Sequence, residues 1–151
     1  MSYINKYYPK RPIRSFQDLQ VYQKTLALAV TIVKKIKKQT DKNTSIAIEI
    51  DKNIMKNLTK TVMAIPRFIT TAHSLRFGNP IRAINKLEKT MLNCNLAIYY
   101  LELFRDIVNP KKIDAEYFEK HIKEYLRVRG QILRLQKSWI KFMPVEPRSG
   151  K

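Results

Sequence analysis

Acidic residues are scarce in this chain: 12 Asp and Glu stand against 30 Lys and Arg, a formal net charge of +18 over 151 residues. Cysteine is nearly absent. Cys94 stands alone, which excludes a disulfide within the chain and fits a reducing, cytoplasmic setting. The only glycines are Gly78, Gly130 and Gly150, too few and too dispersed for a phosphate-cradling loop. His73 and His121 lie far apart, and with one cysteine they make no zinc set. The longest largely apolar run, Leu26 to Val33, is too short to span a bilayer, and the N-terminus has no apolar segment of signal-peptide form. Glu49 with Asp51, or Glu116 with Glu119, could be paired on paper. Neighbouring lysines would keep those acids ionised and ill-suited to general-acid work. The expectation is a non-enzymatic protein without cofactor or metal.

What is present is apolar content enough to fold. Hydrophobic residues make up 44% of the chain, too many for a disordered polycation, and 151 residues fit one domain with a core. The positive excess opposes compaction, so a polyanionic partner is the natural compensation, with nucleic acid ahead of a membrane surface.

The segment from Ile54 to Phe77 organises the rest. Ile54, Leu58, Val62, Ile65, Ile69 and Ala72 recur at three- and four-residue steps, an apolar seam along one helix face, while Lys56, Lys60 and Arg67 fall opposite. Pro66 within this pattern predicts a kink rather than two helices. Before it, Ser15 and Asp18 have the spacing of a capping box. A first helix follows with Leu19, Tyr22, Leu26, Ala29, Val33 and Ile36 inward, ending in Lys34, Lys35, Lys37 and Lys38. The stretch from Gln39 to Asn53 reads as a loop into the second helix, which begins some residues before Ile54. Gly78 is expected to end that helix in a left-handed residue, with Asn79 and Pro80 starting a third.

The third helix runs to about Val108 with Ile84, Leu87, Met91, Ile98 and Leu101 inward and Arg82, Lys86 and Lys89 outward. Asp114 caps a fourth, whose inward set is Phe118, Ile122, Tyr125, Leu126, Ile132, Leu133, Trp139 and Ile140. Its outward set is Lys120, Lys123, Arg127, Arg134, Lys137 and Lys141. Four amphipathic segments and short polar turns predict an all-α, up-down-up-down four-helix bundle over residues 15–143. A basic arm (1–14) precedes it and a tail (144–151) follows.

The phrase FQDLQVYQK from Phe16 to Lys24, with Ile65 and Pro66 some forty residues later, carries a resemblance. The chain resembles a bacterial four-helix-bundle superfamily. It includes the large-subunit rRNA intervening-sequence protein and the accessory variability protein of diversity-generating retroelements. After the proline this chain has Phe68, Ile69, Thr70, Thr71 and Ala72, where the intervening-sequence branch has Asn-Ile-Ala-Glu-Gly. Trp139, Ile140 and Lys141 are closer to the retroelement branch, although Lys137 and Ser138 replace its paired glycines. The resemblance implies a homopentamer that binds nucleic acid and a reverse transcriptase in mutagenic cDNA synthesis. The alternative is an intervening-sequence-type protein or a docking scaffold without nucleic-acid binding.

Three helices carrying cationic stripes with few acids between them point to a surface for DNA or RNA phosphates, with little base reading. The candidate set is Lys120, Lys123, Arg127, Arg134, Lys137 and Lys141, Lys56, Lys60 and Arg67, and Arg82, Lys86 and Lys89. Arg129 and Gln136 interrupt the apolar arc of the fourth helix. With Trp139 they are the candidate oligomer interface.

Overall fold

The computed structural model describes residues 13–40, 46–108 and 115–143. They form α1 (Gln20–Thr40), α2 (Ile46–Leu75), α3 (Pro80–Leu103), a π-helical extension over Phe104–Val108, and α4 (Ala115–Lys141). No strand occurs among the described residues. The structure is all-α, with α1 packed on α2 and α4, and α3 packed on α2 and α4. The arm up to residue 12, the cap at Asp114 and the tail from residue 144 lie outside the described residues.

The Ser15–Asp18 box forms, but on a 3-10 turn (Phe16–Asp18) rather than on α1. Asp18 accepts from the backbone N–H of Arg14 and Ser15, and Ser15 Oγ accepts from Gln17 N–H. Leu19 is extended, and its carbonyl accepts from Gln23 N–H to open α1. The IAIEI stretch, expected as loop, is instead the first turns of α2. No strand among the described residues offers itself as a partner, and Glu49 stands near the positive end of the helix dipole.

The seam of α2 is the centre of the core. Val62, Ile65, Ile69 and Ala72 are fully buried and Ile54 and Leu58 nearly so. The helix runs unbroken through the buried Pro66. At its end, Asn79 N–H donates to Leu75 O, and Asn79 Oδ1 accepts from Arg82 N–H with Pro80 in the first turn. Gly78 does not take a left-handed φ and has open space where a Cβ would stand, so this corner does not require glycine.

Three helices match their expected inward faces only in part. Leu19, Ala29 and Ile36 at α1, Leu87 and Leu101 on α3, and Phe118, Tyr125 and Ile132 on α4 are buried. Ile84, Met91 and Ile98 of α3 are half-buried beside the buried Ala83, Thr90, Cys94 and Ala97. In α1 the buried line is Val21, Thr25, Leu28, Ala29, Ile32 and Ile36, leaving Leu26 and Val30 exposed. In α4 it is Phe118, His121, Tyr125, Val128, Ile132 and Gln136. Leu126, Leu133 and Ile140 are 51%, 37% and 49% exposed instead. Each helix has more apolar surface than one core contact can cover, so periodicity alone admits a rotated phase.

Buried hydroxyls are satisfied within their own helices: Thr25 donates to Val21 O at 2.7 Å and Thr90 to Lys86 O at 2.7 Å. Cys94 is wholly buried, and desolvation pushes its thiol up to about 12, which makes it an inert filler. Tyr125 is buried too, but its Oη has no hydrogen-bond partner among the described residues. Burial, first, and the nearby Cys94 push its phenol upward. Removing that orphaned hydroxyl by Tyr125→Phe should raise unfolding stability by about 1 kcal/mol. Ile65→Ala, by contrast, should lower it by about 2–5 kcal/mol. Urea denaturation of the two variants checks both signs.

Candidate nucleic-acid interface

The six cations of α4 fall at intervals of three, four, seven, three and four residues, which keeps them on one side of the helix. Lys120, Lys123, Arg127, Arg134, Lys137 and Lys141 are all exposed, and none pairs with an acid among the described residues. The stripe borders α1. Arg127 lines a hollow with Gln20, Gln23, Lys24 and Gln131, and Arg134 lines a second with Asp18, Gln20 and Gln131. Lys24 therefore joins the cationic side, a residue that pattern reading missed because it lies on a different helix. Its Nζ also pairs with Glu124 Oε2 at 2.9 Å, which ties α1 to α4 and holds the Glu124 carboxyl below the usual carboxylate range.

The other two stripes meet elsewhere. On α2, Lys56, Lys60 and Arg67 are exposed; on α3, Arg82 and Lys89 are exposed and Lys86 half-buried. Phe68 is the hinge between them, because Arg67 and Lys86 each lie 5.3 Å from its ring centroid. The structure thus brings Arg67 of α2 and Lys86 of α3 together at one aromatic ring, and sets the α4 stripe beside α1 instead. Lys56, Lys60, Arg82 and Lys89 are exposed elsewhere along their helices.

Arg129 and Gln136 find partners inside the chain. Arg129 Nη1 donates to Asn95 Oδ1 at 3.0 Å, and Gln136 Nε2 donates to Glu88 Oε1 at 2.8 Å and to Ile84 O at 3.3 Å. Gln136 is buried while Arg129 is exposed. These polar residues therefore do not need a second subunit to satisfy them, and they fasten α4 to α3. Trp139 is half-buried with its ring 6.4 Å from that of His73. Arg76 Nη1 donates to His73 Nδ1 at 3.1 Å, so that nitrogen carries a lone pair. Burial, and then the Arg76 charge, lower the affinity of His73 for a proton.

No group of three or more His, Cys, Asp or Glu among the described residues could hold a metal ion. No helix among them is long and apolar enough to cross a membrane. Compared with protein-family models, curated proteins and solved structures, the chain matches none. The surface must be read from its own chemistry.

His121, buried on the inner side of α4, gives the fold a pH dependence. Its Nδ1 lies 2.7 Å from Tyr117 O, and a carbonyl only accepts, so Nδ1 carries the hydrogen. Burial, ahead of the opposing bond to Tyr117 O, lowers its pKa, with the Lys120 charge adding to the fall. A histidine with a depressed folded pKa binds more protons when unfolded. Its contribution is therefore complete above the unfolded value of about 6.5 and is lost as pH falls below it. The melting temperature should drop on acidification from pH 7.5 to 5. In His121→Gln the drop should be shallower, as scanning calorimetry across that range would show.

Proposed function

We propose that this chain is a non-enzymatic, oligomeric, basic accessory protein that binds DNA or RNA with little sequence preference. The single observation carrying this reading is the α4 stripe: six exposed cations in register, with no acid of the described residues paired to any of them. A row of flexible lysine and arginine side chains can reach successive phosphates, and the glutamines beside Arg127 add neutral donors for phosphate or sugar. The resemblance named above extends the proposal to assistance of a retroelement reverse transcriptase in cytoplasmic cDNA synthesis.

The architecture in this reading is an up-down-up-down bundle with α2 bent at Pro66. Lys24 with Glu124, and Lys35 over Tyr117, support α1 and α4 running in opposite senses. Asn95 with Arg129, and Glu88 with Gln136, support the same for α3 and α4. At Pro66 the carbonyl of Val62 lacks its usual intrahelical donor, the ordinary cause of such a bend.

The assembly is a closed homo-oligomer, five-fold by resemblance, meeting at the α3–α4 face. Leu92, Tyr99, Leu126, Leu133 and Ile140 are exposed there. Leu92 lies between Glu88 and Asn95 on α3, and Leu133 between Arg129 and Gln136 on α4, so both sit within the frame of the two cross-links. Glu88 and Glu102 interrupt the cations on this side, which lets two copies approach without stacking like charge. Leu126→Glu with Leu133→Glu should yield folded monomers by light scattering. A monomeric parent protein at micromolar concentration would remove the assembly from the proposal.

Each phosphate neutralised should contribute about 0.7 to 0.9 to the slope of log K against log salt. Reversing the six α4 cations to Glu should weaken binding to all sequences alike and flatten that slope, leaving helix content intact. A folded, correctly assembled variant that keeps the parent slope would place the site at Phe68 with Arg67 and Lys86, or nowhere.

A further inference from the structure

The groove between α1 and α2 lies apart from the α4 stripe and from the α3–α4 face. Its walls are Leu26, Val30 and Val33 on α1 and Met63 and Pro66 on α2, and it encloses about 290 Å³. Leu26, Val30 and Met63 are 42%, 44% and 55% exposed, a continuous apolar floor that the fold leaves uncovered. Lys34 stands on its α1 side. Along the outer side of Met63, Lys56, Lys60 and Arg67 run in one exposed line on α2. No Asp or Glu occurs from Gln20 to Thr40, or from Lys52 to Leu75. An apolar trough therefore has Lys34 on its α1 side and, beyond Met63, the exposed Lys56 and Lys60 on its α2 side.

We infer that this groove docks an acidic amphipathic helix of a partner protein, with apolar side chains at three- and four-residue spacing in the trough and carboxylates against the rim. Two packed helices offer a third helix the ridge-and-groove surface it needs, and the unbranched Met63 adapts to different anchors. Charge selects among occupants. A second copy of this chain would bring the rims of two cationic grooves together. The basic arm, residues 1–14, carries no acid and mismatches the rim in the same way. Nucleic acid matches the rim but has no apolar stripe to fill the floor. A lipid surface would need the apolar side chains on a protruding ridge, whereas here they line a recess. The docking face is distinct from the α4 stripe, so a partner and nucleic acid can be held together.

The test uses the full chain and a fluorescein-labelled synthetic helix with Leu at positions i, i+4, i+7 and i+11 and Glu on both flanks. A control peptide has every Glu replaced by Lys. Fluorescence anisotropy should show saturable binding of the acidic peptide, and none of the control. Met63→Glu and Val30→Asp should each weaken it by about tenfold or more, as expected for a central anchor contact. Both positions are exposed, so circular dichroism should be unchanged. Lys34→Glu with Lys60→Glu, which leaves the floor intact, should weaken binding and reduce its salt dependence. Nucleic-acid binding should keep its slope in the Met63 and Val30 variants, which separates this inference from the proposal for α4. Equal binding of the two peptides, or no effect of the floor variants, overturns it. So does preferential binding to phosphatidylserine vesicles that Met63→Glu abolishes, because the groove would then be a lipid site.

Discussion

The burial of one face of α2 is the constraint on which the remaining structure depends. Six side chains from Ile54 to Ala72 are removed from water over about five turns, and α1 and α3 both pack on that helix. At about 25 cal/mol per Å² of apolar surface, such a seam outweighs any surface ion pair in this protein, where the pairs are exposed or partly so. It also explains why a proline can stand inside the helix. Tertiary packing around Ile65 and Ile69 compensates the missing backbone bond, which propensity alone would not.

A core with so few acids around it handles polarity locally. Threonine hydroxyls return to carbonyls four residues back, as Thr25, Thr61 and Thr90 do. Where a helix cannot satisfy a polar side chain by itself, its neighbour supplies the partner: Asn95 for Arg129, Glu88 and Ile84 for Gln136. Tyr125 is the exception, a buried hydroxyl with no acceptor among the described residues. Polar residues in an apolar arc thus act here as clamps between α3 and α4. Exposed leucines beside them form the unsatisfied part of that face.

Positive charge is partitioned rather than spread. One basic surface follows α4 along α1, Arg67 of α2 and Lys86 of α3 meet at Phe68, and Lys34 of α1 with Lys56 and Lys60 of α2 flank an apolar groove. Like charges at these separations repel in the free protein, and a bound polyanion would relieve that repulsion. The helix cross-links hold the geometry against it.

The seam of α2, the corner at Asn79 and Pro80, the helical reach of the third segment to Val108 and the exposure of the α4 cations were all legible in the chain. In each case a single helix's periodicity, or a local capping bond, determines the answer. The phases of α1, α3 and α4 were legible only in part. Leu26 and Leu126 carry the same apolar signal as Leu28 and Val128, and only the space left by neighbouring helices decides which of them is covered. The merging of cations also escaped pattern reading. That Arg67 and Lys86 share Phe68, that Lys24 lies beside α4, and that Arg129 and Gln136 are answered within the chain are relations between helices. Sequence spacing fixes which side chains share a face of one helix. Which faces meet is set by packing volume across the whole molecule, and so only the tertiary structure decided it.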